Sequence, residues 1–224
     1  MVVAAHGSAD PAGQATVVDL VRLLGDLADV PVRLGWLDHA EPRLGRILAE
    51  AGAAPVVVPL LLAAGYHALV DIPAIAAASR TPGTTLAAAI GAHPAVIGAV
   101  ENRLAEAGAS PGAPVVLAAT GSTDPAAAAD VKRAADELAA RRGRPVTVGF
   151  AATGNPDLAA AVRRAAASGR PIAVASYLIG PGRFADLIRD AAAGAGATWV
   201  AAPLGAQPGM ARALLDRYLE ACAD

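Results

Sequence analysis

The sequence predicts an α/β protein built as two similar halves, each a four-stranded parallel sheet flanked by helices and related to the other by internal duplication. Three observations carry that expectation. Short β-branched runs alternate with Ala-rich segments of helical length along the whole chain. The strand-like runs are continuously apolar, as strands are when helices bury both faces of a parallel sheet. And the chain repeats itself: VVAAHGSADPA near the start returns as VVLAATGSTDPAA past the middle, with His6 matched to Thr120, Pro42 to Pro156 and His93 to Gln207, each pair 114 residues apart. A repeat of that length is a specific signal and not an accident of Ala-rich composition.

The first four strands are expected at 2–5 (VVAA), 32–37 (VRLGWL), 56–62 (VVVPLLL) and 84–89 (TTLAAA). The second four are expected at 115–119 (VVLAA), 146–151 (VTVGFA), 172–178 (IAVASYL) and 198–202 (TWVAA). Segments 12–28, 94–107, 125–142 and 208–222 carry apolar residues at three- and four-residue spacing and read as helices. The Gly/Pro/Ser cluster at 108–114 (GASPGAP) suits a linker, which divides the chain into an N-terminal domain, 1–110, and a C-terminal domain, 111–224. Right-handed crossovers give each half the strand order 2-1-3-4, a flavodoxin/Rossmann-like arrangement.

Composition narrows the function classes. Hydrophobic residues make up 55% of the 224 and charged residues 17%, a globular and not a disordered balance. Aromatics at 3% imply a core of Val, Leu, Ile and Ala with closely approaching backbones. A formal net charge of −2 argues against a nucleic-acid partner, which is normally met by a basic excess. No uncharged apolar stretch is long enough to span a bilayer, and no basic segment precedes the first strand, so a cytoplasmic protein without a membrane partner is expected. Cys222 is the single cysteine, so no intramolecular disulfide forms.

In open parallel sheets ligands bind beyond the carboxyl ends of the strands, where the strand order reverses. Here that point lies between the first and third strands of the N-terminal half. His6 follows the first, His67 follows the third, and neighbouring parallel strands are about 4.8 Å apart, so the two imidazoles are expected to face one another. Glu41, just past the second strand, is expected at the same mouth. Two imidazoles and a carboxylate suit a divalent first-row metal, and three ligands with open positions suit a metal that is handled and not locked into structure. The other histidines read differently: His39 as a solvated loop residue, His93 as a cap or orienting group for the helix opened by Pro94.

Gly7-Ser8 and Gly121-Ser122 lie between strand and helix, where backbone N–H groups can face an anion, although Ser in that place is by default a helix cap. Neither GxGxxG nor GxxxxGK[ST] is present, so nucleotide binding has little support. Arg183, in the loop of the second half that parallels the one carrying His67, is suited to clamping a carboxylate. Ser8, Gly7, Ser122 and Arg183 are therefore expected to contact substrate.

The motifs His6-Gly7-Ser8-x-Asp10-Pro11, Leu37-x-x-Ala40-Glu41-Pro42, Val58 to His67 (VPLLLAAGYH), Asp71-Ile72-Pro73 and Gly91-Ala92-His93-Pro94 resemble, in order and spacing, the class II tetrapyrrole chelatases of the sirohydrochlorin ferrochelatase and cobaltochelatase group, in their long two-domain form. The resemblance implies ATP-independent insertion of Fe2+, or alternatively Co2+, into sirohydrochlorin, a lyase-class reaction of sirohaem or cobalamin biosynthesis. It implies that the metal is a substrate and that no cofactor is permanently bound. It gives His6 and His67 the roles of metal ligands and proton acceptors, with Glu41 beside them as ligand or base. Tyr66 and Ala9 stand where that group commonly has a basic or polar residue and an Arg, which bears on how substrate carboxylates are held. A monomer is expected, since two halves already form a complete cleft. A non-catalytic carrier of tetrapyrrole or metal is the alternative from another class, and a serine hydrolase using Ser8 with His67 lacks the Gly-x-Ser-x-Gly elbow.

Overall fold

The computed structural model describes residues 1–52 and 54–223. Its first sheet holds β1 (Val2–Ala5), β2 (Arg33–Trp36), β3 (Val56–Leu60) and β4 (Thr85–Leu86), in the order β2-β1-β3-β4. Its second holds β5 (Val115–Gly121), β6 (Val146–Thr153), β7 (Ala173–Ser176) and β8 (Trp199–Val200), in the order β6-β5-β7-β8. All pairings are parallel. The expected order 2-1-3-4 is thus realised twice. The fourth strand of each half is only two residues long, shorter than its apolar run, and lies at the edge of its sheet.

Four α-helices accompany each sheet: α1 (Pro11–Leu27), α2 (Leu44–Ala49), α3 (Ile72–Ser79) and α4 (Pro94–Glu106), then α5 (Pro125–Arg142), α6 (Leu158–Ala166), α7 (Arg183–Gly194) and α8 (Pro208–Ala223). A π-helical turn, His67–Asp71, runs directly into α3. The helix starts show why the GSxDP sequence occurs twice. Asp10 and Asp124 are the N-caps, accepting from Ala12 N–H at 2.8 Å and Ala126 N–H at 2.9 Å, with Pro next in line. Ser8 and Ser122 are not the caps: each hydroxyl accepts instead from the N–H of that Asp, at 3.0 Å in both halves, and so braces the turn ahead of the helix. Gly7 and Gly121 are needed for a different reason. Their φ values are +97° and +91°, and a Cβ would fall 2.0 Å from the Asp38 carbonyl oxygen and 1.6 Å from that of Thr153.

The core explains how the halves are joined. One cluster of buried residues draws on both, including Leu20, Leu24 and Leu60 from the first and Leu117, Leu138 and Leu214 from the second. Smaller clusters lie on the outer face of each sheet. The last helix of each half crosses over: α8 packs on β3 and α1, while α4 packs on β7 and α5. Fully burying one Leu is worth about 1.5–3 kcal/mol, so this shared layer is a principal source of stability. Gln207 sits inside it and satisfies its amide locally, donating to the Leu204 and Ala99 carbonyls at 2.7 and 3.2 Å and accepting from Asn102 at 3.2 Å.

His93, the counterpart of Gln207, is the N-cap of α4, and its Nδ1 accepts from Ala95 N–H at 3.2 Å. Only the neutral ring can accept there. Burial, with Arg217 and Arg212 opposing Asp216 and Glu220, holds its pKa below the ordinary 6.5. The unfolded chain therefore takes up this proton first as pH falls. The stability that neutral His93 contributes is complete above about pH 6.5 and is lost as pH drops toward the folded-state value.

Two measurements follow from this packing. Residues 1–110 expressed alone lack α8 over β3 and are expected not to persist as a folded monomer; light scattering would detect self-association, and a monomer with a cooperative thermal transition would contradict the shared-core account. His93→Asn keeps a capping side chain without a titrating group. Its melting temperature is expected to fall less than that of the wild type between pH 7.5 and pH 5.5, as read by parallel thermal melts.

Candidate metal-handling site

β1 delivers His6 one residue beyond its end, and β3, its hydrogen-bonded neighbour in register Ala5↔Leu60, leads through 61–66 to His67. The two rings stand with centroids 4.3 Å apart and planes inclined at 50°. His67 opens the π-helical turn, a form of winding often found at functional sites, and the turn brings Asp71 back beneath it. Asp71 Oδ2 lies 2.6 Å from His67 Nδ1. A carboxylate in that place selects the tautomer with hydrogen on Nδ1, which leaves the Nε2 lone pair for a metal ion or a proton.

Glu41 does not join them. Its side chain is 70% exposed, and its two oxygens accept from the Arg43 backbone N–H at 2.9 Å and from Arg43 Nε at 3.3 Å. It borders a shallow depression with Arg33 and Arg46, on a different part of the surface. A neighbouring N–H and guanidinium offer the carboxylate a local partner that a metal site would have to displace. The three-ligand set of His6, His67 and Glu41 is therefore not assembled, and among the described residues no group of three or more His, Cys, Asp or Glu is placed to hold a metal ion.

His39, read from sequence as a solvated loop residue, lies at the site instead. Its φ of +59° turns the backbone so that its ring stacks on that of His6, centroids 6.2 Å apart, and lines the cleft. A positive φ at a non-glycine residue is uncommon, and nothing in the local pattern announces it. Asp38 precedes it, with its carboxylate accepting from Arg43 Nη1 at 3.0 Å and its N–H donating to the His6 carbonyl at 2.8 Å. Asp71 was equally without a role in the sequence; its four-residue spacing from His67 is the signal that would have found it, once 67–71 is known to be helical.

Two cavities meet at His6, sharing it with Leu60, Leu178 and Ile179. The larger, about 670 Å³, runs past Gly7, Ser8 and His39 to Arg183 and Phe184 of the second half. The other, about 430 Å³, contains Tyr66 and His67 and is closed by Thr120, Gly121, Ser122 and Tyr177. The sequence-nominated residues Gly7, Ser8, Ser122 and Arg183 thus all border the cleft, the first two and Arg183 on one side of His6, Ser122 on the other. Each half supplies one wall.

The CbiX family model matches residues 1–107 and again 114–221. A search of curated proteins finds no match. Among solved structures, SirB from Bacillus subtilis with Fe3+ superposes with a TM-score of 0.84 at 24% identity, over 99% of this chain and 94% of that one. The sirohydrochlorin chelatase SirB from Bacillus subtilis subspecies spizizenii, in complex with cobalt, gives 0.81 at 24% identity, with the same coverage. CbiX, the terminal enzyme for biosynthesis of siroheme in denitrifying bacteria, gives 0.70 at 22% identity, over 98% of both chains. At these identities the likenesses establish a common fold. With the family model accounting for each half in turn, the chain belongs to the CbiX family, two copies of whose domain it carries in tandem.

Proposed function

We propose that this protein is a sirohydrochlorin chelatase, a cytoplasmic monomer that takes Fe2+ as a substrate and inserts it into sirohydrochlorin without ATP and without a resident cofactor. The observation that carries this reading is the pair of imidazoles 4.3 Å apart in a CbiX-family chain, His6 on the wall shared by two cavities and His67, braced by a carboxylate, lining one of them. Cobalt is the second metal the reading admits, favoured by the cobalt complex of the similar SirB fold.

Inserting a divalent ion into a free-base macrocycle releases two pyrrole protons for each ion taken up. The site therefore has to hold a cation and accept protons in one place. Imidazole does both, because its charge changes near neutrality. His67, with Nδ1–H donated to Asp71, presents Nε2; on protonation the Asp71 carboxylate stabilises the imidazolium. His6 shares the ion, and His39 adds a third basic ring on the side of the larger cavity. Two imidazoles give a loosely held ion, suited to delivery, and fixing it beside the ring converts encounter into positioned transfer. At about 670 Å³ the larger cavity lies within the range of small-molecule sites. Arg183 and the backbone N–H groups around Gly7, Ser8 and Ser122 receive the substrate carboxylates.

The test is anaerobic turnover of sirohydrochlorin with Fe2+ and Co2+ in parallel, followed by the macrocycle's absorbance. His6→Ala and His67→Ala are each expected to lower the rate by at least about 100-fold with unchanged thermal stability, whereas Thr120→Ala keeps appreciable activity. Near-wild-type turnover in either histidine variant would refute the assignment, and tight binding of metallated product with no rate enhancement would make the protein a carrier. Asp71→Ala leaves the ligands present but the His67 ring unbraced; a loss of about 10–100-fold is expected, partly recovered in Asp71→Asn, whose amide oxygen can still accept from Nδ1–H.

A further inference from the structure

In each half the loop that follows the third strand leans on the first helix of the other half. Gly180 approaches α1 so closely that a Cβ would lie 3.4 Å from Gly13 Cα and Thr16 Cβ, and Gly65 approaches α5, where a Cβ would lie 3.7 Å from that of Ala127. The helix positions are counterparts under the 114-residue repeat, Gly13 to Ala127, with the two loop glycines offset by one, and the contacts differ in chemistry. On the α1 side Thr16 turns its hydroxyl to its own helix, donating to the Ala12 carbonyl at 2.8 Å. On the α5 side the counterpart of Thr16 is Asp130, and its Oδ2 accepts from the Ala64 backbone N–H at 2.5 Å, across the boundary between halves. Only the loop that receives this bond carries a histidine, three residues further on.

Asp130 is 8% exposed and lies on a helix face of Ala127, Val131 and Ala134, where an isolated carboxylate is costly. Its other oxygen is paired with the Arg133 guanidinium, which is itself largely exposed. A charged acceptor is held in an apolar seam, then, with a single main-chain N–H to serve there. Tyr177 approaches from the same half, its hydroxyl donating to the Gly91 carbonyl at 2.8 Å, with the Leu62 carbonyl at 3.4 Å. Ala64, at the base of the excursion to His67, is thus gripped by the half that carries no imidazole.

We infer that Asp130 is a positioning residue for His67: by holding the Ala64 N–H it fixes the 61–66 loop and so sets where the His67 ring stands relative to His6. The inference rests on the chelatase reading for its kinetic consequences but not for its geometry. Asp130 touches neither metal nor macrocycle; it acts through the loop.

The experiment compares Asp130→Ala, Asp130→Asn, Asp130→Glu and Arg133→Ala with the wild type. Three readouts are used: thermal stability, imidazole resonances of 15N-histidine-labelled protein with His67 assigned through His67→Ala, and Co2+ titration by visible absorption without tetrapyrrole. Asp130→Ala is expected to shift the His67 resonances and weaken Co2+ binding by about 10–100-fold. Asp130→Asn keeps an oxygen for Ala64 N–H and is expected within about threefold of wild type, as is Arg133→Ala, which spares the cross-half bond. Should Asp130→Ala not fold, Asp130→Glu moves the acceptor by one methylene with charge and pairing retained, and an altered His67 signal with weaker Co2+ binding is again expected. Unchanged His67 resonances in every folded Asp130 variant, or a loss of melting temperature with no change in resonances or Co2+ affinity, would overturn the inference. In turnover assays the kcat of Asp130→Ala is expected to fall more than its melting temperature explains. A wild type that shows the resonance effect but no turnover would defeat the chelatase reading and leave the positioning role standing.

Discussion

Parallel pairing of β1 with β3 fixes the distance on which the site depends. Two strands hydrogen-bonded in a sheet cannot move apart without breaking the ladder, and their carboxyl ends necessarily open on the same edge. His6 is tied to that edge directly, one residue past β1, and its carbonyl is held by the Asp38 N–H at 2.8 Å. His67 is tied less directly, at the end of a six-residue excursion, and that longer path needs additional restraints. The structure supplies two from opposite directions: Asp71 grips the ring from below through Nδ1, and Asp130 of the second half grips the backbone leading to it. A ring separation of 4.3 Å is a product of sheet geometry on one side and of these braces on the other.

Duplication makes this arrangement possible because the two copies are under different constraints. Both keep the features on which the fold depends: the strand order, the glycine at φ near +90° after the first strand, the Ser-braced turn with its Asp cap, and a cis proline at Pro42 and at Pro156. They part where side chains face the cleft. Thr120 stands for His6, and Pro181 occupies the position 114 residues beyond His67. Lacking imidazoles, the second copy provides a wall, Arg183, and the acceptor on Asp130. The crossover of α4 and α8 places both copies in one core, so the wall and the imidazoles hold a fixed relation.

Much of the fold is legible in the sequence because it rests on short-range pattern and on handedness. Apolar runs and Ala-rich periodic segments locate the strands and the long helices within a few residues, and right-handed crossover leaves one simple order. The adjacency of the segments carrying His6 and His67 follows from the same rule. What was not legible depends on side-chain torsions and local competition. Glu41 lies after the correct strand, yet its carboxylate turns to the Arg43 N–H and guanidinium. His39 reaches the site through a left-handed backbone conformation, uncommon for any non-glycine residue and not signalled by the local sequence. Asp71 is invisible as a partner until 67–71 winds as a π-helical turn, and Asp130 has no local partner to announce it: its bond spans 66 residues. Ser8 and Ser122 show the same limit on a smaller scale, since the default role of cap went to an Asp two residues later.

The electrostatics of the cleft follow from local pairing and not from net charge. A chain of formal charge −2 is a poor match for a carboxylate-rich macrocycle if charge is counted globally. At physiological ionic strength, though, the screening length is about 8 Å, and a bound anion responds to the groups lining the cleft. Among the lining residues Asp10 already accepts from the Ala12 N–H, and behind the lining Asp71 holds His67 and Asp130 is paired with Arg133. The Arg43 hydrogen bond and the His39 N–H hold the Asp38 pKa below the ordinary carboxylate range, so Asp38 stays ionised but locally compensated. The guanidinium of Arg183 and the rings of His6 and His39 border the same space and are the basic groups a carboxylate meets first. With these acids paired locally and Arg183 and His6 left unpaired by them, the lining of the cleft is more favourable to an anion than the formal charge suggests.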